Sequence, residues 1–328
     1  MKTILKIFLV LIVLVVVGIT GLLSYLKFAL PDVGEAPNLT IEATPERLLR
    51  GEYLATSVSG CVECHSIRDF TKFSGPVDKS TLGQGGELFG SMLGFPGEYY
   101  SKNITPYGIS NWTDGELYRA ITSGVSKDGH ALFPIMPYPR FATMDQEDIY
   151  SIIAYLRTLK PIEFSPPAST SAFPMNFIIN TLPQPAAHQP IPPKEELIKY
   201  GEYMTNAAVC MDCHTQQEKG VYKMELYMAG GFNFPLPTGG IVRSANLTPD
   251  KKTGLGNWTE EQFVQRFKAY SDSTYAPNSV NPGEFNSMMP WGYYTKMKEE
   301  DLKAIFAYLQ SLPPIENQVI KFDPPKNQ

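Results

Sequence analysis

The chain has 328 residues, of which 43% are hydrophobic and 19% charged, with a formal net charge of −5. That balance describes a globular, mildly acidic protein and excludes the basic footprint that nucleic-acid binding requires. The expected partners are other proteins.

Residues 1–27 read as a membrane anchor. After MKTILK, the stretch Ile7 to Leu26 runs twenty residues without a charge, the length a helix needs to cross the hydrocarbon layer. Lys2 and Lys6 precede it, so the basic-residue bias keeps the start of the chain cytoplasmic and exports the remainder. A cleaved signal peptide is the competing reading, but the apolar run exceeds the usual h-region and no clear A-x-A site comes after it. The expected location is therefore the cytoplasmic (inner) membrane, single-pass, with the bulk of the chain on the periplasmic side.

Residues 28–43 are a tether, and 44–162 form a first globular unit. Thr44 and Pro45 predict a helix start, and WTDGEL gives a capping box between Thr113 and Glu116. Ile149, Ile152, Ile153 and Leu156 fall at i, i+3, i+4 and i+7, the apolar face of a helix. Residues 163–192 are a proline-rich connector without a clear period. The second unit, 193–317, enters a helix through Pro193, repeats the capping box with Thr259 and Gln262, and ends on Leu302, Ile305, Phe306 and Leu309. Residues 318–328 are a tail. No alternating strand pattern stands out, so the fold class expected is all-α, with two tandem helical bundles after one transmembrane helix.

The two units are copies of one another. RGEYLATSVSGCVECH from Arg50 parallels YGEYMTNAAVCMDCH from Tyr200, and SKNITPYGISNW from Ser101 parallels SANLTPDKKTGLGNW from Ser244. IMPYPRFATMDQEDIYSIIAYLRTLKPIE, from Ile135, matches MMPWGYYTKMKEEDLKAIFAYLQSLPPIE, from Met288, without a gap. Every cysteine lies in one of two CxxCH frames, Cys61–Cys64–His65 and Cys210–Cys213–His214. A structural zinc site gathers its four ligands in one compact unit, and a thioredoxin-like site has no use for a histidine after the second cysteine. Covalent haem attachment accounts for all three positions: two thiols meet the vinyl groups and the histidine meets the iron. Two covalently attached haem c groups are thus expected, with Cys61, Cys64, Cys210 and Cys213 as attachment points and His65 and His214 as proximal ligands.

For the sixth ligand, Met136 and Met289 align, and each precedes a proline that places it on a loop. Met144 and Met297 also align but read as packing at a helix start. The histidines outside the motifs, His130 and His188, are the other candidates; His130 has no counterpart histidine in the second copy and reads as a surface residue or one lying behind the ligands rather than as a ligand. Trp112 and Trp258 are equally open to hydrogen bonding a propionate and to plain packing. The sequons at Asn103, Asn111, Asn246 and Asn257 recur with the repeat and read as local backbone hydrogen bonding.

These motifs, with the FPMN of the connector, resemble the multihaem cytochrome c subunits of membrane-bound alcohol, gluconate and related dehydrogenases. The resemblance implies a class I cytochrome c fold in each half, His/Met ligation, and close crossings of Gly51 against Tyr155 and Gly201 against Tyr308. The function expected is one-electron transfer, without catalysis, from a dehydrogenase or quinol-oxidising partner to a downstream cytochrome or oxidase. The alternative is a dihaem peroxidase with one labile haem site; against it stands the equivalent methionine in both copies.

Overall fold

The computed structural model describes residues 2–271 and 274–325; the last three residues of the tail lie outside them. Helix α1 (Lys2–Phe28) has no buried residue and is long and apolar enough to cross a membrane. The stretch after it is pinned to the first unit. Ile41 N–H donates to Asp114 Oδ2 at 2.8 Å, and Pro37 O occupies the place of a Cβ on Gly115, 1.7 Å away.

In the first unit, α2 (Pro45–Tyr53) opens with the Thr44 hydroxyl accepting from Arg47 N–H and with Pro45 in the first turn. A π-helical turn over Leu54–Val58 extends it. Then come α3 (Cys61–Cys64), α4 (Pro106–Ile109), α5 (Asp114–Ser123), α6 (Tyr138–Phe141) and α7 (Gln146–Leu156). The short α8 (Met175–Ile178) lies in the proline-rich stretch. The second unit holds α9 (Leu197–Ala207), α10 (Cys210–His214), α11 (Glu260–Lys268), α12 (Trp291–Tyr294) and α13 (Glu299–Ser311). Both capping boxes form, at α5 and at α11. Pro193 does not open α9. It closes a turn instead, with Glu196 N–H donating to Pro193 O at 3.0 Å, and the helix starts at Leu197.

Each unit is built on one crossing, α2 on α7 and α9 on α13, and glycine permits both. A Cβ on Gly51 would sit 1.8 Å from Ser151 O and 2.9 Å from Tyr155 Cβ; one on Gly201 would sit 1.9 Å from Ala304 O and 3.0 Å from Tyr308 Cβ. Backbone therefore meets backbone at the pivot. The periodic apolar faces of α7 and α13 are buried as the spacing requires, from Ile149 to Leu156 and from Leu302 to Leu309, in one continuous core with Leu54, Met144, Met204 and Met297.

The all-α expectation is wrong. Besides the helices, the described residues carry three small antiparallel sheets. β1 (Leu88–Phe89), β2 (Gly97–Tyr100) and β3 (Thr170–Ser171) form the first; β4 (Gln217–Glu218) and β5 (Val221–Tyr222) form a hairpin; β6 (Asn233–Pro235), β7 (Ile241–Arg243) and β8 (Phe322–Asp323) form the third. Strands of two to four residues are too short to show a two-residue alternation, and the outer strand of each three-stranded sheet comes from far along the chain. Gly97 pairs with Ser171, and Val242 with Phe322. The sheets follow the duplication: each unit contributes a hairpin, and the chain leaving that unit returns as the third strand.

The units dock through a reciprocal arrangement. Tyr53 of α2 donates to Asp301 of α13 at 2.5 Å, and Tyr203 of α9 donates to Asp148 of α7 at 2.5 Å. Each tyrosine oxygen in turn accepts a backbone N–H at the start of the opposite unit's last helix, Lys298 at 3.0 Å and Asp145 at 3.2 Å. Within each unit the same carboxylate has a local partner. Arg50 grips Asp148 with two 2.7 Å bonds, whereas at Asp301 the equivalent position is Tyr200, donating at 2.8 Å.

Candidate functional site

Both CxxCH motifs lie on a first helical turn entered through a left-handed residue. That residue is Gly60 (φ 70°) before Cys61 and Val209 (φ 49°) before Cys210. Glycine takes this conformation freely, but a β-branched residue is strained there, so the shorter second motif holds its turn against a steric cost. Within each motif the two cysteines and the histidine stand at i, i+3 and i+4, the spacing of one face of a helical turn.

The two histidines are held alike. His65 Nδ1 lies 2.6 Å from Lys102 O, and His214 Nδ1 lies 2.8 Å from Ala245 O. A carbonyl accepts only, so Nδ1 carries the proton and Nε2 keeps its lone pair. One glycine completes each support: Gly85 N–H donates to His65 O at 2.9 Å and Gly230 N–H to His214 O at 2.8 Å. Both glycines have left-handed backbone and lie so near the accepting segments that a Cβ would fall 2.5 Å from Ser101 O or 2.4 Å from Ala245 O. Burial lowers the pKa of both imidazoles, which keeps them neutral, as a metal ligand must be.

Cys213 is exposed and the other three thiols are half-buried, and none is paired in a disulfide. Burial by the surrounding protein pushes the Cys61 thiol up to about 12, Cys64 to about 11, and Cys210 and Cys213 to about 12. Glu63, between the first two cysteines, is 7% exposed, and burial pushes its carboxyl up to about 7. Among the described residues no cluster of three or more His, Cys, Asp or Glu side chains could hold a metal ion.

Met136 and Met289 are partly buried against the core. Each precedes a proline in inverse γ-turn geometry, Pro137 (φ −79°, ψ 46°) and Pro290 (φ −81°, ψ 73°). The turns close alike: Tyr138 N–H donates to Met136 O at 2.7 Å and Trp291 N–H to Met289 O at 2.9 Å. Proline fixes the central φ, so these loops hold their shape without help from a regular element. Met144 and Met297 are fully buried core.

Each methionine loop leads into a helix that reaches the other unit's cysteine turn. Arg140 of α6 donates to Asp212 inside the second motif at 2.8 Å. Its positional equivalent, Tyr293 of α12, accepts Gly60 N–H at 2.6 Å, directly before Cys61. The neighbouring Tyr294 donates to Ala208 O at 2.8 Å, just before the second motif. A further contact has no counterpart among the described residues. The loop after the first motif crosses to the second methionine, with Ser74 donating to Met289 O at 2.6 Å and accepting Trp291 N–H at 2.9 Å. Ser74 is held there by the fully buried Asn286, whose Oδ1 accepts Ser74 N–H at 2.9 Å and whose amide donates to Phe70 O and Lys72 O.

Residue motifs alone did not reveal the carbonyls of Lys102 and Ala245, Gly85 and Gly230, or the Ser74–Asn286 clasp. The duplicated SKN and SAN segments were the available signal for the first pair. Of the secondary candidates, His130 is exposed, and His188 has both ring nitrogens engaged, with Met144 O at 2.5 Å and the Tyr118 hydroxyl at 2.6 Å. Trp258 is 38% exposed. Asn103 and Asn246 are buried, and each Oδ1 accepts from the N–H and hydroxyl of the threonine two residues on, the local role their recurrence suggested.

The donor sets fit a covalently bound haem: two neutral thiols, an imidazole with Nε2 free, and a thioether on a rigid loop. Comparison with known proteins agrees. The family model for cytochrome c matches residues 198–313. The cytochrome c subunit of the quinone alcohol dehydrogenase of Gluconacetobacter polyoxogenes is 30% identical over 300 residues, covering 86% of this chain and 59% of that protein. The gluconate 2-dehydrogenase cytochrome c subunit of Pantoea cypripedii is 28% identical, covering 83% and 60%. A diheme cytochrome c-type protein of Cereibacter sphaeroides is 26% identical, covering 81% and 86%. The chain spans under two thirds of the length of the two dehydrogenase subunits. A domain of this family binds haem c covalently. Residues 198–313 match the cytochrome c family model, and over most of its length the chain is similar to the cytochrome c subunits of alcohol and gluconate dehydrogenases.

Proposed function

We propose that this protein is a membrane-anchored dihaem cytochrome c that passes single electrons from a dehydrogenase subunit or quinol-oxidising partner to a downstream cytochrome or oxidase. When bound, each haem supplies one iron that alternates between the ferrous and ferric states. The paired thiols, Cys61 with Cys64 and Cys210 with Cys213, hold it by thioether bonds. His65 and His214 offer Nε2 as proximal ligand, kept in the right tautomer and orientation by the Lys102 and Ala245 carbonyls. Met136 and Met289 offer the sixth ligand, which raises the reduction potential. α1 anchors the chain in the inner membrane with both units on the periplasmic side.

The observation that carries this reading is the equivalence of the two histidine supports, 2.6 Å at one and 2.8 Å at the other. A chance CxxCH would not come with the same tautomer-fixing carbonyl and glycine. The test is to denature the purified protein, strip it with acidic organic solvent, and measure its mass and pyridine haemochrome. Two macrocycles should remain on the polypeptide; one or none would overturn the dihaem reading. The oxidised protein should also show a methionine-to-iron charge-transfer band that is halved in Met136→Ala or Met289→Ala and absent in the double variant. Half-reduced protein mixed with hydrogen peroxide and an external donor should not turn over.

A further inference from the structure

The connector carries a feature that electron transfer between two haem units does not use. From Phe164 to Pro193 it contains no Asp, Glu, Lys or Arg, although 19% of the chain is charged. An ordinary solvent-exposed linker of that length would carry several charges. Within this stretch, α8 (Met175–Ile178) and the residue two before it turn large apolar side chains outward: Phe173 is 79% exposed and Ile178, in the helix, is 41% exposed. Phe173 and Phe177 meet edge to face, with ring centroids 6.4 Å apart.

This apolar surface is tied to the end of α1. Asn180 Nδ2 donates to Leu26 O at 2.9 Å, satisfying one of the four carbonyls that a helix C-terminus leaves open. The helix and the connector also pack against each other along α8 and the turn after it. Phe28, the last residue of α1, is 81% exposed on the same junction. A 27-residue helix is about 40 Å long, against about 30 Å of hydrocarbon. With the charge-free part ending at Leu26, the junction falls at the level of the outer headgroups.

We infer that α8 and its flanking aromatics form a second membrane contact, lying in the outer interface of the bilayer beside the point where α1 leaves it. Aromatic rings are favoured at that depth. A segment without formal charge enters the headgroup layer without the desolvation cost of an ion, and an exposed apolar helix held there gains the burial it lacks in water. The contact would give the first unit a second attachment to the membrane beside α1, and two attachments set its height and orientation where one helix alone leaves it free to tilt. The inference rests on the reading of α1 as a membrane anchor.

The test uses the full haem-loaded chain in vesicles of phosphatidylcholine and phosphatidylglycerol, with the photoreactive benzoylphenylalanine placed singly at Phe173, at Ile178, at Val13 in α1, or at Val221, which is 71% exposed on the second unit. After irradiation, positions 173 and 178 should give phospholipid adducts by mass at yields comparable to position 13, with none above background at position 221. Lipid adducts at 13 with none at 173 and 178 would overturn the inference alone, whether those positions give no product or crosslinks to a second copy of the chain. No adduct at 13 would overturn the anchor reading and this inference together.

Discussion

Ser74 is the residue whose role is least visible from its own neighbourhood. It stands in the first unit, yet its hydroxyl bridges the backbone on both sides of the proline after Met289. Removing one buried hydroxyl takes from Met289 O and Trp291 N–H the partner they share, leaving the turn only its own Trp291 N–H to Met289 O bond, and costs about 1–3 kcal/mol of local order. Ser74→Ala should therefore weaken the methionine-to-iron band of one centre and shift its potential, leaving the other centre unchanged. Resolved redox titration checks this; equal shifts at both centres, or none, would show that the clasp does not position Met289. The residue pair Gly60 and Val209 illustrates the opposite case, in which an equivalent position keeps its backbone conformation although the side chain opposes it.

At the scale of elements, the α2–α7 and α9–α13 crossings decide whether each unit can close. Ser151 O lies 1.8 Å from where a Cβ on Gly51 would be, and Ala304 O lies 1.9 Å from one on Gly201. Neither obstacle is a flexible side-chain end, so the helices themselves must separate. Gly51→Ala or Gly201→Ala should each destabilise its unit by about 3 kcal/mol, the upper part of the overpacking range. Chemical denaturation should show the midpoint of the affected unit falling first. A loss below about 0.5 kcal/mol, the usual scatter of surface substitutions, would contradict the close crossing.

For the whole molecule, the paired Tyr53–Asp301 and Tyr203–Asp148 contacts couple the two units. Burial, reinforced by the facing carboxylates, raises the pKa of both tyrosines well above the usual value near 10. A raised pKa in the folded state means the unfolded chain loses its protons first as pH rises. The stabilisation is complete below pH 10 and is lost progressively above it, by about 1.4 kcal/mol per pH unit for each such tyrosine. Tyr53→Phe with Tyr203→Phe should lower stability at pH 7 by about 3–6 kcal/mol, through two lost hydrogen bonds to charged groups. The same variant should flatten the decline between pH 10 and 11. A decline as steep as that of the parent would place the alkaline sensitivity elsewhere.

The sequence by itself determined the motifs and the repeat. Four thiols in two CxxCH frames, the twin MP loops, the capping boxes and the apolar faces of α7 and α13 are all set by covalent spacing and helical period, which act over a few residues and so are written in order along the chain. Only the tertiary structure decided the rest. The carbonyls that orient His65 and His214 carry no side-chain signature, the three small sheets draw strands of two to four residues from distant segments, and Ser74 reaches a methionine more than two hundred positions away. Each of these is a contact between backbone groups or remote loops, and such contacts exist only once the core has brought the two copies face to face.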